Sequence, residues 1–263
     1  MDNVIEEIVN KLNLDAVYNN QFSRKLSEND NVVRAFMDTE TTGFYAYEKD
    51  RLLEIAGAIY RGRNKIFEFD YYINPERDIA IEAYNVHKIS SQMVQNERLF
   101  HEVYPEIRQI LIDNKVEKLI FHNAKFDASF INAECLRAKE EQRPLFNEID
   151  VLKNEFTVID SLRVSKLFVT EGNERNTLDA LAEKYNIDLD KRAGGHNGLI
   201  DSQILAEVYF AMIDDRCFGY DFDEIQTVIK KENFKLDFDR VDADLAKKIK
   251  TINKIFYLLI TFS

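Results

Sequence analysis

Phe36-Met37-Asp38-Thr39-Glu40-Thr41-Thr42-Gly43 is entered through Val32 and Val33 and left through a glycine, the pattern of a buried strand that ends at a turn. Side chains along a strand alternate between two faces, so Asp38 and Glu40 project together and must sit close to each other. Two anions held that close repel. Water can solvate both, which is how an isolated acidic pair at a strand end reads. A divalent cation can instead neutralise them, and oxygen-only ligands then point to Mg²⁺ or Mn²⁺. The rest of the chain has to decide between these readings.

The 263 residues, 45% of them hydrophobic, suffice for one large domain with appendages and an ample core. A net charge of −12, from 47 acidic and 35 basic residues, argues against a broad basic surface that grips nucleic acid, while leaving room for an enzyme that touches only a strand end. Cys135 and Cys217 cannot build a disulfide framework and have no metal-ligand spacing, which suits a reducing compartment. Met1 to Leu14 carries Asp2, Glu6 and Glu7 and no basic leader, so it does not read as a signal peptide. The late apolar run Ile255 to Phe262 is too short to span a bilayer. A soluble, cytoplasmic protein with no membrane partner is expected.

Apolar spacing predicts a short helix over about residues 3–13, then a polar connector over Asn19 to Asn31. Val32 to Met37, Leu52 to Tyr60 and Lys65 to Ile73 read as three strands of an antiparallel meander. Phe100, Val103, Ile107, Ile110 and Leu111 form a helical stripe, Val116 to Phe121 a buried strand and Phe126 to Leu136 a helix. Thr157 to Ile159 then reads as a short strand, followed by helices over Leu162 to Phe168, Leu178 to Tyr185 and Leu199 to Ile213. The fold class is α/β: a mixed five-stranded sheet, three strands in a meander and two more delivered through helices. Residues 1–31 form a helical extension, 32–213 the main domain, and 214–263, of different texture, an appendage. In that appendage Val241, Leu245, Ile249, Ile252, Phe256 and Leu259 share one helical face, which either packs on the chain's own domain or docks on a partner.

Two further stretches carry chemistry. In Phe121-His122-Asn123-Ala124-Lys125-Phe126-Asp127 a strand ends, Asn123 can cap the next helix, and Asp127 falls in its first turns. Alone, Asp127 reads as an acid at a helix N-terminus. In Gly194-Gly195-His196-Asn197-Gly198-Leu199-Ile200-Asp201 glycines mark a flexible loop, Asn197 or its neighbour can cap, and Asp201 sits in the first turn of the last helix. A loop histidine is commonly just solvated. Beside carboxylates, however, a group with a pKa of about 6.5 is suited to general-base work. Asp38, Glu40, Asp127 and Asp201 with His196 together suit two-metal hydrolysis of a phosphodiester, one ion activating water and the other holding the leaving oxygen.

At these residues the sequence resembles the DEDDh branch of the DnaQ-like exonucleases, and within it the proofreading subunits of bacterial replicative polymerases. The resemblance runs from about Val32 to Met212. It includes Asp38 to Gly43, Glu82-Ala83-Tyr84-Asn85-Val86-His87, His122 to Asp127, Asn176-Thr177-Leu178-Asp179-Ala180-Leu181, Lys191-Arg192, His196 to Asp201, and Ala206-Glu207-Val208-Tyr209. It implies a ribonuclease-H-like fold whose two added strands run parallel, and 3′-to-5′ removal of nucleotides from single-stranded or mispaired DNA ends. A replicative polymerase catalytic subunit is the implied partner. Carried over by position, Asp38, Glu40 and Asp201 bind two divalent cations, Asp127 joins through water, and His196 is the base. Thr41, Glu82 and His87 hold the terminal nucleotide. The chain departs from the family in about 31 residues before the first strand, in about 50 unalignable ones at the end, and in Gly198, where a small alanine is usual and a glycine is expected to leave the chemistry intact and loosen the loop. Two rivals stand beside this reading: an RNA-trimming exonuclease of the same fold, and a catalytically silent scaffold subunit.

Overall fold

A computed structural model describes residues 31–169, 174–192 and 196–216 of the protein. The helix expected near the N-terminus and the appendage with its helical stripe lie outside the described residues. Five strands, β1 (Val33–Thr41), β2 (Leu52–Arg61), β3 (Asn64–Tyr72), β4 (Lys118–Phe121) and β5 (Thr157–Asp160), form one sheet in the order β3-β2-β1-β4-β5. The helices are α1 (Ile81–His87), α2 (Ser91–Val94), α3 (Phe100–Asp113), α4 (Ala124–Glu140), α5 (Leu152–Glu155), α6 (Ser161–Phe168), α7 (Leu178–Lys184) and α8 (Gly198–Arg216). The sheet and all helices, apart from the last residues of α6 and α8, fall in one compact unit.

The mixed sheet expected from the sequence is present. β1 pairs antiparallel with β2, β2 antiparallel with β3, and β1 to β4 and β4 to β5 are parallel. β1 is longer than its apolar run. It continues past Met37 through both acids to Thr41, because β-branched Thr39 and Thr41 suit a strand and β2 is long enough to pair with them, Glu40 lying opposite Glu54. The short helices α1, α2 and α5 were not foreseen, since four to seven residues are too few to display a helical period. Asn123 corrects another expectation. It stands at the N-cap of α4 with φ 75° and makes no side-chain cap; asparagine tolerates that left-handed conformation, and its backbone N–H donates to Asp160 Oδ1 at 3.1 Å.

Strand alternation sorts the packing. Val33, Ala35 and Met37 join Leu119 and Phe121 in a core covered by Phe100, Tyr104 and Ile107 of α3 and by Phe130 and Ile131 of α4. Phe36 points to the opposite face, where its ring lies edge-on to Tyr60, Tyr209 and Phe210 at centroid distances of 5.4, 5.5 and 5.3 Å. Edge-on aromatic pairs contribute about 0.5–1.5 kcal/mol each beyond their burial, so this cluster seats α8 against β1. Asp38 and Glu40 share the face of Phe36, and the same contact that seats α8 brings its first turn to them. Among the described residues no helix is long and apolar enough to cross a membrane.

Phe36 has no exposed surface, and Phe36→Ala should cost about 3–5 kcal/mol in urea denaturation. A loss under about 1 kcal/mol would show that the aromatic cluster does not hold α8 in place.

Candidate active site

β1 and β4 run parallel, so their C-terminal ends open at one edge of the sheet; α4 leaves β4 there, and α8 begins there. One carboxylate oxygen from each of Asp38, Glu40 and Asp201 lies within 4.8 Å of the others. Glu40 and Asp201 are buried and Asp38 is partly so. Burial, then the charges of Asp127, Glu40 and Asp201, hold the Asp38 carboxyl well above the usual carboxylate range. Burial, then Asp201, pushes Glu40 up to about 8, with His196 and Arg192 pulling the other way. Three crowded carboxylates, of which Asp38 and Glu40 are held toward their neutral forms, make an all-oxygen donor set, which fits Mg²⁺ or Mn²⁺.

Asp127 sits beside this trio rather than in it. Its Oδ1 accepts a hydrogen bond of 2.7 Å from the Thr39 hydroxyl, on the strand face opposite Asp38, and burial raises its pKa to about 7 while the Thr39 bond opposes the rise. His122 has a structural position. Its Nε2 lies 2.8 Å from the Asn176 carbonyl, which can only accept, so that nitrogen carries the proton and Nδ1 accepts from the Ser161 hydroxyl at 2.9 Å. Burial lowers its pKa, consistent with a neutral ring that ties the end of β4 to α6 and to the segment before α7.

His196 Nδ1 is 2.8 Å from Asp201 Oδ2, and the bond to Asp201 raises the histidine's pKa. Its backbone N–H donates to Val86 of α1 at 3.3 Å. Asn197 caps α8, accepting from Ile200 N–H at 3.1 Å, while its amide donates to Glu54 Oε1 at 3.2 Å. Glu54 is a buried acidic neighbour of the site that the sequence does not single out. It has no exposed surface, and burial followed by the charge of Asp70 pushes it up to about 9, so it is protonated at neutral pH. The available signal was an acid inside the apolar run Leu52-Leu53-Glu54-Ile55. Gly198 starts α8 close against β2, where an added Cβ would lie 3.1 Å from Ala56 Cβ and 3.3 Å from Glu54 Cδ. A glycine lets the chain settle onto β2.

Arg192 bridges two helices. Its Nε donates to Asp201 Oδ1 and its terminal nitrogen to Asp179 Oδ1, with the guanidinium nearly buried. Of the expected nucleotide-binding residues, Thr41 donates its hydroxyl to Gly43 O at 2.6 Å. Glu82 is exposed on α1 and lines a cleft of about 350 Å³ with Phe44, Tyr45, Lys49 and Arg77. His87 is buried; Nδ1 accepts from Ile89 N–H at 2.9 Å, so Nε2 carries the proton, and it has no hydrogen-bond partner among the described residues. Burial holds His87 below the ordinary histidine pKa. The start of α1 is tied to the end of β1 by Ala80 N–H donating to Thr42 O at 3.1 Å.

A family model described as "Exonuclease" matches residues 35–209. The DNA polymerase III subunit epsilon of Rickettsia conorii is 34% identical over 185 residues, covering 68% of this chain and 73% of that protein. The subunit of the same name from Escherichia coli K12 is 36% identical over 183 residues, covering 67% and 69%. Among solved structures, the nuclease domain of 3′hExo, a DEDDh family member bound to rAMP, superposes with a TM-score of 0.59 at 19% identity, covering 73% of this chain and 95% of that one. Exonuclease X in complex with 5′ overhanging duplex DNA gives 0.52 at 18%, covering 69% and 92%. At these identities the structural likeness establishes the ribonuclease-H-like fold.

The raised carboxyl pKa values carry a stability consequence. A folded pKa above the unfolded one stabilises at low pH, and that contribution fades as pH rises through the folded value; for Glu40 the window runs from about 4.5 to about 8. In EDTA, Glu40→Gln should therefore raise stability by about 2–4 kcal/mol at the top of that window and by little at its foot. Melts of both proteins across the range check this, and a variant less stable than wild type at alkaline pH would contradict it. For His196 the sign is also set: the extra stabilisation that the charged ring draws from Asp201 is fully present below the ordinary histidine value and fades as pH rises through the raised one, the neutral ring keeping its Nδ1–H bond. NMR titration in EDTA should find His196 above 6.5 and Asp201→Asn should lower it, whereas a wild-type value at or below 6.5 would mean that the bond does not form.

Proposed function

This chain belongs to the exonuclease family and is a 3′–5′ exonuclease, and we propose that it removes nucleotides from single-stranded or mispaired DNA 3′ ends as a proofreader for a replicative DNA polymerase. Asp38, Glu40 and Asp201 would hold two divalent cations, Mg²⁺ or Mn²⁺, with Asp127 joining through water. The observation that carries this reading is the meeting of three carboxylates from β1 and α8 with a histidine bonded to one of them. The relatives' polymerase-subunit name supports the polymerase partner and, with it, the proofreading role, and a cytoplasmic setting is part of the same proposal.

When bound, the cations supply the positive charge that polarises the scissile phosphate and lowers the pKa of water. The chain's own residues do the rest. Because His196 Nδ1 donates to Asp201, the neutral ring presents Nε2 as its basic atom, and that nitrogen accepts the proton of the attacking water. His196 is part-exposed, so the water and the proton have a path to solvent. Thr41, Glu82 and His87 would seat the terminal nucleotide, the His87 Nε2–H being a ready donor. A mispaired end has already lost the pairing energy that a paired end must give up before it can enter.

The test digests a mispaired primer terminus, a paired terminus and a short RNA, each with Mg²⁺, Mn²⁺ or EDTA. Digestion should need metal and run fastest on mispaired DNA; Asp38→Ala should abolish it, and His196→Ala should slow it roughly 10²- to 10⁴-fold. Faster removal of ribonucleotides would support RNA trimming instead, and activity retained in EDTA or in Asp38→Ala would contradict the metal site.

A further inference from the structure

Asp201 is held at both oxygens. Arg192 donates Nε–H to Oδ1 and His196 donates Nδ1–H to Oδ2, so the carboxylate plane is fixed from two sides. A carboxylate oxygen has two lone pairs, and each bond uses one, which leaves one on each oxygen for a cation. Arg192 is itself fixed. Its fork reaches Asp179 on α7 as well as Asp201 on α8, and its side chain is only 10% exposed, so the guanidinium cannot easily swing away. Its backbone N–H closes a tight turn onto Leu189 O at 2.9 Å. Asp179, by contrast, is half exposed and far from needing an internal partner. Its geometric consequence is to restrain Arg192.

We infer that Arg192 is a positioning residue for the cation site: braced by Asp179, it fixes the orientation in which the Asp201 carboxylate meets Asp38 and Glu40. The inference rests on the proposed metal-dependent reading. A planar fork can engage two carboxylates at once, which a lysine ammonium cannot reproduce with the same directionality. Pure Coulomb reasoning gives the opposite expectation, since removing a cation beside three carboxylates should strengthen divalent binding. Positioning by an outer partner instead predicts weaker binding, typically by about 10- to 100-fold on its removal.

The test is Mn²⁺ binding to the full chain, followed by EPR of the free ion, for wild type, R192K, R192Q and D179N, with a thermal melt of each. R192Q should bind Mn²⁺ about 10-fold or more weakly, R192K should lose less, and D179N should lose affinity in the same direction by a smaller factor. Adding D179N to R192Q should change little, because the brace has nothing left to hold. If R192Q does not fold, D179N, at a half-exposed position, carries the test. Wild type failing to bind Mn²⁺ would overturn the metal reading itself. Wild type binding with R192Q unchanged within about twofold, whatever its melting temperature, would leave Arg192 a fold-stabilising contact and overturn the inference; tighter binding by R192Q would make Arg192 a competitor of the cation and also overturn it.

Discussion

Repulsion between carboxylates fixed two residues apart on a buried strand is the constraint that the surrounding structure answers. Asp38 and Glu40 cannot separate, because strand geometry sets their spacing and β2 and β4 hold β1 on both sides. Solvation is limited by burial. The neighbouring groups respond in different ways: Arg192 and His196 bring positive character to Asp201 and Glu40, Thr39 hydrogen-bonds Asp127, and Glu54 retains its proton. Arg192 and His196 offset part of the local negative charge, Glu54 adds none while it is protonated, and Thr39 stabilises the charge on Asp127 without removing it. On the proposed reading a divalent cation would complete the set, and it would let an acidic protein act on a polyanion at this edge.

The scaffold makes that crowding durable. Odd-numbered β1 residues anchor the strand in the core under α3 and α4, while Phe36 on the other face receives Tyr209 and Phe210 of α8. The acids are therefore extensions of the packing pattern, one face for the core and the other for chemistry. α8 contributes Asp201 because its first turn is pinned independently of the aromatic cluster, through Asn197 to Glu54 on β2. Two separate attachments, apolar along the helix and polar at its start, define where Asp201 stands.

Much of this was legible in the sequence because it obeys local periodicity. Period two in Phe36 to Thr41 puts Asp38 and Glu40 together, and helix-start signals placed Asp127 and Asp201 in first turns, where the structure has them. The strand segments and their meander followed from the apolar and β-rich runs. What escaped depends on contacts between distant elements. Arg192 looks like an ordinary base beside Lys191 until α7 and α8 are brought around it. Glu54 carries no motif of its own, and its meaning comes from lying opposite Glu40 across the β1–β2 ladder. Asn123 was misread because its residue type suits both a side-chain cap and a left-handed backbone, and only the structure distinguishes them. The helices α1, which carries His87, and α2 are too short to announce themselves.

Anomalous diffraction from crystals of the protein grown with Mn²⁺ tests the central claim most directly. The account predicts anomalous peaks bounded by the carboxylates of Asp38, Glu40 and Asp201, at oxygen distances of about 2.0–2.3 Å. Peaks confined to other acids, such as Glu54 with Asp70, or no peak among these three carboxylates at saturating metal, would contradict it.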